Sequence, residues 1–314
     1  MSETPVLRIA AIVPCHNEAV AIGKVVEDLR SAVPDMTIYV YDNASTDDTV
    51  AIARAAGAIV RHEHTKGKGN VVRRAFADVD ADVYVLIDGD DTYATADLPS
   101  MIDALVDGPY DHVLGVRRES GVAAYRPGHE LGNKGFNWFV SGVFGSGVSD
   151  MLSGYRVFSR RFVKSFPALS REFEIETELT VHAMSLRVPQ IEVQVGFKDR
   201  PAGSESKLRT YHDGFRILSL IIGLIRHERP LMFYGIAGTL IALIGVIIGI
   251  PVIIDFVASG LVLRLPTALL AVGIVLIAFL SWTIGLILDG VLKSRREISR
   301  LNYLTYPAPT SRAQ

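Results

Sequence analysis

The first 115 residues alternate between short apolar runs and stretches in which apolar residues recur at helical spacing. Repeated strand–helix units of this kind predict an α/β domain, in which a mostly parallel sheet carries helices on both faces. The predicted strands are 8–13, 37–41, 59–61, 83–87 and 112–115, and the predicted helices are 21–32, 47–56, 71–77 and 98–106.

The pattern is less regular between residues 116 and 200. Helical spacing recurs at 131–144 and 174–186, and 190–197 alternates apolar and polar residues as a strand does. A polar loop rich in glycine and serine covers 199–207, and 211–226 then combines an apolar face with two arginines. That combination favours an amphipathic helix at a membrane interface, with a helix packed on the preceding domain as the alternative.

Two uncharged runs dominate the last third of the chain, between Arg229 and Asp255 and between Arg264 and Asp289. Each exceeds the roughly 20 residues that cross a bilayer, so we predict a transmembrane hairpin; two buried core helices are the alternative. Basic residues flank the outer ends, which places both ends in the cytoplasm, at the inner or plasma membrane. The predicted organisation is a cytoplasmic domain over 1–209, an interfacial helix over 210–229, spans over 230–254 and 266–288, and a cytoplasmic tail over 289–314.

The overall composition argues against several classes of protein. The net charge of −2 gives no general attraction for nucleic acid, so no such partner is expected. Cys15 is the only cysteine, which excludes an intramolecular disulfide and agrees with a reducing compartment. The N-terminus lacks the basic and apolar segments of a signal peptide, so none is expected.

Polar residues collect where the predicted strands end, at 14–18, 42–45, 66–70 and 88–91. In open sheets with parallel strands, ligands bind outside these carboxyl ends. The last group, Asp88-Gly89-Asp90-Asp91, follows the most apolar strand, and burying three unpaired acids would be very unfavourable. A site for Mg²⁺ or Mn²⁺ and a simple turn are both compatible with this stretch alone.

Taken in order, these motifs resemble those of the family-2 inverting glycosyltransferases of GT-A fold. The resemblance rests on Val13-Pro14-Cys15-His16-Asn17-Glu18, Asp42-Asn43-Ala44-Ser45-Thr46-Asp47, Lys66-Gly67-Lys68-Gly69-Asn70 and Asp88-Gly89-Asp90-Asp91. Ser153-Gly154-Tyr155-Arg156 and the Arg200…Ser204…Lys207 loop are similar to those of the polyprenyl-phosphate glycosyltransferases, a group that includes dolichyl-phosphate mannose synthase and bacterial undecaprenyl-phosphate glucosyltransferases. The resemblance covers about residues 8–300.

The resemblance implies a GT-A nucleotide-sugar-binding domain with its site at this edge of the sheet. Asp90 and Asp91 would hold Mg²⁺ or Mn²⁺ on the donor diphosphate, and Asp88 would face the ribose. The implied nucleotide-binding residues are Pro14, Asn17, Glu18, Asp42, Asn43, Ser45, Lys66, Gly67, Asp88 and Gly89. A dinucleotide-binding oxidoreductase is disfavoured, because Val72 stands where its glycine fingerprint needs a third glycine.

The implied acceptor is a lipid phosphate, which is already an anion and needs no general base. The site instead needs cations that bring two anionic phosphates together. The catalytic candidates are Arg117, Arg126, Arg156, Arg200 and Lys207, with Arg200, Ser204 and Lys207 as ligands of the acceptor phosphate. Three of the roles stay open: Arg117 could be a surface residue, Arg156 could brace the site, and Asp150 could contact the sugar, orient an arginine or cap a helix.

We therefore expect an inverting, metal-dependent hexosyltransferase that uses UDP-glucose or a UDP-N-acetylhexosamine and transfers to undecaprenyl or a similar polyprenyl phosphate. Its expected partners are the nucleotide sugar, the lipid and the bilayer, with a homo-oligomer through the spans left open. The competing hypotheses are an enzyme that uses GDP-mannose, a transferase to a hydroxyl with Glu174 or Glu178 as base, and a scaffold that binds sugar nucleotides without turnover.

Overall fold

In the computed structural model, which describes residues 7–119, 149–168, 175–198, 222–223 and 225–309, seven strands form one sheet. The strands are β1 (Ile9–Cys15), β2 (Thr37–Asp42), β3 (Ile59–His62), β4 (Val83–Leu86), β5 (His112–Glu119), β6 (Arg156–Ser159) and β7 (Gln190–Phe197). Their order is β3-β2-β1-β4-β6-β5-β7, and β6 is antiparallel to both of its neighbours while all other pairs are parallel. The predicted α/β domain with a mostly parallel sheet is confirmed.

The chain divides into two units, Met1–Tyr211 with Ile298–Gln314, and His212–Glu297. The helices are α1 (Ile22–Ala32), α2 (Thr49–Ala55), α3 (Lys68–Asp78), α4 (Leu98–Asp107), α5 (Arg160–Ser165), α6 (Ile175–Leu186), α7 (Pro230–Ser259) and α8 (Leu265–Thr305). The predicted helix over 131–144, the loop over 199–207 and most of the helix predicted over 211–226 lie outside the described residues.

The sheet separates two apolar cores, and β4 contributes to both. Val83 and Val85 pack into the core that contains α1 and α4, whereas Tyr84 and Leu86 pack into the core that contains α3, α5 and α6. A strand buried on both faces needs a continuous apolar run. The run at 83–87 provides it, and β4 accordingly lies fourth of the seven strands.

The antiparallel strand β6 is not predicted by the sequence pattern, because it has four residues and begins with Arg156. Its register pairs Arg156 with Leu86, the last residue of β4. The start of an antiparallel strand therefore lies beside the carboxyl end of β4. This pairing brings the Ser153-Gly154-Tyr155-Arg156 motif to the acidic strand end.

Strand β1 continues through Pro14 to Cys15, two residues past the predicted end at residue 13. Pro14 pairs with Tyr41 of β2, while the pairing of β1 with β4 stops at Ile12 and Leu86. The proline therefore stands where β1 has a strand on one side only. Such an edge position tolerates a residue that has no backbone N–H.

Helices α7 and α8 pack as a hairpin within the second unit. The indole Nε1 of Trp282 donates to the carbonyl of Gly235 (3.1 Å), and Ser281 Oγ donates to the carbonyl of Tyr234 (3.0 Å). A Cβ on Gly238 would lie 2.6 Å from the Trp282 ring, so this close approach needs a glycine. Both helices are long and apolar enough to cross a membrane, and only 6% and 17% of their most apolar windows are buried. This exposure disfavours the alternative of two buried core helices.

Helix α8 continues well past the predicted span and ends at Thr305. From Ile298 onward its residues belong to the first unit, where Tyr303 donates a hydrogen bond to Asp111 (2.7 Å) and its ring lies 4.8 Å from the Arg161 guanidinium. Part of the predicted cytoplasmic tail is therefore helical and packs against the sheet domain.

Candidate functional site

The loops after β1 and β2 are joined by hydrogen bonds from residues predicted to bind nucleotide. The backbone N–H of Asn17 donates to Ser45 Oγ (3.0 Å), and Asn17 Oδ1 accepts from the N–H of Thr46 (2.8 Å). The N–H of Glu18 donates to Thr49 Oγ1 (2.8 Å). These bonds make the two loops one wall of the site, although Asn17 must adopt a φ of 55° to form them.

The buried side chain of Asn43 holds the third loop against the second. Its amide nitrogen donates to the carbonyls of Glu63 and Thr65 (both 2.9 Å), and its Oδ1 accepts from the N–H of Gly67 (2.7 Å). Asn43, predicted to contact nucleotide, thus uses both ends of its amide to brace the loops. Gly67 has a φ of 124°, a conformation that requires glycine, and Lys66 beside it is exposed.

Asp42 lies buried at the end of β2. One carboxylate oxygen accepts from the N–H of Ser45 (3.1 Å), and the other lies 3.2 Å from Nδ1 of His62, at the end of β3. His62 is not predicted from the sequence to belong to the site. It orients Asp42, which stays a predicted contact of the base or ribose.

Asp88, just past β4, contacts a lysine that the sequence does not mark as a site residue. Lys68 forms an ion pair with Asp88 and a second one with Glu176 Oε1 (2.5 Å). The Lys68 side chain is 9% exposed and that of Glu176 is 5% exposed. Burial disfavours the ammonium, but the two carboxylates outweigh it and raise the pKa of Lys68. Burial raises the pKa of Glu176 despite the opposing charge of Lys68.

One signal in the sequence could have indicated this lysine. Lys68 is the first residue of α3, and a cation is unfavourable at the positive end of a helix dipole. A lysine in such a place suggests anionic partners outside the helix.

Gly89 and Gly154 allow the close packing around Asp88. A Cβ on Gly89 would lie 2.5 Å from the sulfur of Cys15, so this glycine lets the acidic turn pack on β1. A Cβ on Gly154 would lie 2.9 Å from the carboxyl carbon of Asp88 and 3.0 Å from Nζ of Lys68. The glycine of the Ser-Gly-Tyr-Arg motif thus leaves room for the ion pair.

The two remaining acids of the motif point to different partners. Asp90 Oδ1 accepts from the hydroxyl (2.7 Å) and the N–H (3.3 Å) of Thr92. Asp91, with a φ of 57°, instead directs Oδ1 to Nζ of Lys198 (2.7 Å) and Nζ of Lys24 (3.3 Å). Both ammonium groups compete with a cation for this oxygen. The role of Asp91 as a metal ligand stays a prediction, and in this arrangement its Oδ1 is shared by two lysines.

Asp88 and Asp90 fit a divalent metal that arrives with a diphosphate. Among the described residues no group of three or more His, Cys, Asp or Glu side chains forms a ready metal site. Mg²⁺ commonly takes only one or two carboxylates and completes its shell with phosphate oxygens and water. The carboxylates of Asp88 and Asp90 have the required hard-oxygen chemistry.

Arg117, two residues before the end of β5, forms a bidentate ion pair with Asp150. Nε and Nη2 donate to the two carboxylate oxygens at 2.7 and 2.8 Å. The guanidinium carbon lies 5.4 Å from the ring centroid of Phe197, and 30% of the Arg117 side chain is exposed. Asp150 orients this arginine, which is one of the three roles that the sequence allows for it.

Arg156 braces the interior, the second of the two roles that the sequence allows for it. It is fully buried, and its guanidinium donates to the carbonyls of Ser153 (2.9 Å) and Met151 (2.8 Å) and to Thr180 Oγ1 (2.8 Å). Burial lowers its pKa to about 10. Because all of these donors point to interior acceptors, the predicted phosphate contact by Arg156 is unsupported in this arrangement. The candidates Arg126, Arg200, Ser204 and Lys207, and also Glu174, lie outside the described residues.

A family model described as glycosyl transferase family 2 matches residues 10–166, half of the chain. The chain belongs to glycosyl transferase family 2. The predicted family is thereby confirmed, and the match includes the carboxyl ends of β1 to β5 and the whole of β6.

Two relatives illustrate what this family 2 glycosyltransferase is similar to. It is 29% identical over 221 residues to the dolichyl-phosphate hexose transferase of Haloferax volcanii, covering 70% of this chain and 95% of that one. It is 28% identical over 223 residues to the undecaprenyl-phosphate mannosyltransferase of Micrococcus luteus, covering 64% and 88%.

A similar solved structure is that of glucosyl-3-phosphoglycerate synthase from Mycobacterium tuberculosis, in complex with Mn²⁺, UDP-glucose and phosphoglyceric acid. It superposes with a TM-score of 0.57 at 22% identity, covering 70% of this chain and 79% of that one. At that identity the likeness establishes the GT-A fold alone.

Proposed function

We propose that this glycosyltransferase moves a sugar from a nucleotide donor to a polyprenyl phosphate, with inversion at the anomeric carbon. The observation that carries the proposal is the pair Asp88 and Asp90 at the carboxyl end of the central strand. This pair has the donor chemistry for a metal–diphosphate complex, and the loops after β1, β2 and β3 converge beside it.

A lipid acceptor is supported by the two membrane-length helices and by both named relatives, a dolichyl-phosphate hexose transferase and an undecaprenyl-phosphate mannosyltransferase. The flanking arginines and lysines favour the cytoplasmic side for the sheet domain, where nucleotide sugars are available. The hairpin would keep the enzyme at the surface in which its acceptor is dissolved.

The transfer needs no general base, because a phosphate monoester is already anionic. An acceptor oxygen forms the new bond to the anomeric carbon, and the bond to the donor diphosphate breaks with its electron pair on the leaving nucleotide. A divalent metal held by Asp88 and Asp90 would supply charge stabilisation for that leaving group. Arg117, fixed by Asp150, and the predicted ligands Arg200, Ser204 and Lys207 would supply the cationic environment for the acceptor phosphate.

A UDP-sugar, either UDP-glucose or a UDP-N-acetylhexosamine, is the proposed donor. This choice rests on the resemblance of Asp88-Gly89-Asp90-Asp91 to the branch that uses UDP-sugars. The relative from Micrococcus luteus favours the second candidate, a mannosyltransferase that uses GDP-mannose.

The test is transfer by the purified full chain in detergent or bilayer. The protein is incubated with undecaprenyl phosphate, Mn²⁺ or Mg²⁺, and labelled UDP-glucose, UDP-N-acetylglucosamine, UDP-N-acetylgalactosamine or GDP-mannose. We expect a labelled lipid from a UDP-sugar, which EDTA abolishes. Transfer from GDP-mannose alone would show that the donor is GDP-mannose and not a UDP-sugar. The proposed transfer to a polyprenyl phosphate would still hold.

A hydroxyl transferase and a nucleotide-binding scaffold give different results in the same assay. A transferase to a hydroxyl would ignore the lipid phosphate and lose activity on Glu178→Gln or Glu174→Gln. A scaffold would bind nucleotide without turnover and would be indifferent to Asp90→Asn.

A further inference from the structure

Lys68 lies between two carboxylates that come from distant parts of the chain. Asp88 follows β4, and Glu176 belongs to the first turn of α6. Lys68 and Glu176 are nearly inaccessible, whereas 29% of the Asp88 side chain is exposed. The ion-pair chain therefore runs from the interior, through the ammonium, to an acid at the surface of the site.

At the Glu176 end of this series of ion pairs, one carboxylate oxygen is left unsatisfied by the described residues. Glu176 Oε2 is buried and has no hydrogen-bond partner within the described residues. A buried ion pair contributes little to stability unless its remaining oxygens are satisfied. Two carboxylates share one ammonium, and Glu176 also acts electrostatically on the buried guanidinium of Arg156. Well-packed apolar side chains in place of these ion pairs would stabilise the fold at least as well.

A second acid behind Lys68 is useful if a cation binds in front of Asp88. Glu176 pairs with the same ammonium as Asp88, so the charge of Lys68 is shared between the two carboxylates. Lys68 in turn contacts Asp88 Oδ1 and thereby fixes the rotamer of the acid. Gly154 keeps the space beside this carboxylate open.

We propose that Lys68 and Glu176 are positioning residues, which hold Asp88 in the rotamer that binds the metal and diphosphate of the donor. The inference rests on the proposed function. Neither residue needs to touch the donor, because both act through Asp88. In metal sites, residues that orient a ligand typically alter metal affinity or activity by about 10- to 100-fold when they are removed.

A double-mutant cycle separates this role from a purely structural one. Lys68→Met leaves Glu176 buried without its cation, so the melting temperature should fall. Adding Glu176→Gln removes that stranded charge, and the melting temperature should recover. A structural pair would then regain nucleotide affinity as well, whereas a positioning pair would not, since Asp88 still lacks its fixed partner.

The measured quantity is the dissociation constant of UDP, or of GDP, for the full chain in detergent with MnCl₂, by titration calorimetry below the melting temperature of each variant. We expect the double variant to bind at least about tenfold more weakly than the wild type, and Lys68→Arg to bind within a few-fold of it. The matched control is Glu27→Gln, which removes an exposed carboxylate from α1 and should leave binding unchanged.

The two proposals fail in different ways. If the wild type binds neither nucleotide with Mn²⁺, the proposed function is wrong, and the positioning role falls with it. If the wild type binds and the folded double variant binds equally tightly, only the positioning role is overturned.

Discussion

Asp88 and Asp91 stand three residues apart at one strand end, and their ion pairs are arranged in opposite ways. The side chain of Asp88 is 29% exposed and its lysine is 9% exposed. The side chain of Asp91 is 8% exposed, whereas Lys198 and Lys24 are 47% and 53% exposed. In the first pair the cation is buried and the acid faces the site. In the second the acid is buried and the cations face solvent.

The backbone explains how neighbouring acids come to differ. Asp91 has a φ of 57°, in the left-handed region, and this turns the chain away from the direction of β4. Because Lys68 lies on the buried side of Asp88, Asp88 can still offer an oxygen to a ligand on the exposed side. A buried acid that already accepts from two surface lysines is better suited to holding those lysines.

The largest expected effect tests the buried cation. Lys68→Met leaves Asp88 and Glu176 without their shared partner, and breaking a buried ion pair typically destabilises by about 3–5 kcal/mol. For a domain of this size that free energy corresponds to a loss of roughly 6–20 °C in Tm. Thermal melting of the detergent-solubilised chain measures it. A loss of only one or two degrees would mean that the cluster is hydrated in solution.

The next effect tests which acid serves the donor. Asp88→Asn keeps the shape of the side chain but removes the charge, and we expect kcat/KM for sugar transfer to fall by at least about 100-fold, as when one preorganised electrostatic group is lost. Asp91→Asn should retain activity within about tenfold, since its carboxylate is already shared by two lysines. Equal losses in the two variants would support Asp91 as a metal ligand alongside Asp88.

Much of this site was predictable because parallel strands place their carboxyl ends at one edge. The apolar run at 83–87 identified the central strand, and the polar groups after three other strands located the ligand edge. The resemblance of the motifs then indicated the family, which the family match confirms. Locating this edge required only the direction in which each strand runs, and not the positions of the side chains.

The partners within the site were less predictable, because they depend on contacts between distant residues. Glu176 is not marked as a site residue by the sequence, yet it lies buried against Lys68, which precedes it by more than a hundred residues. Arg156 has the composition of a phosphate ligand, but β6 carries it into the interior. Asp91 resembles its neighbours in sequence, but its backbone conformation and its two lysine partners separate it from them.

A third prediction concerns a buried acid far from the strand end. Asp111 is fully buried and accepts hydrogen bonds from Ser159, Arg161 and Tyr303. Tyr303→Phe removes one of these donors while Arg161 still neutralises the charge, so we expect a loss of about 1 kcal/mol. Hydrogen exchange should show faster exchange in residues 298–305 and unchanged protection in β1 and β4. Faster exchange throughout the sheet would show that Tyr303 supports the whole domain.

The smallest effect completes the comparison of the two ion pairs. Lys198→Met removes an exposed lysine from Asp91, and exposed ion pairs typically contribute about 0–1 kcal/mol. Lys24 also remains on the same oxygen, 3.3 Å away, so the buried carboxylate keeps a cation. We expect a Tm within about 2–4 °C of the wild type, and a difference that shrinks in 0.5 M salt, because the Debye length falls to roughly 4 Å. If Lys198→Met instead lowers the Tm as much as Lys68→Met does, and salt does not change that loss, exposure of the cation does not decide the strength of these ion pairs. The contrast between Asp88 and Asp91 would then rest on backbone geometry alone.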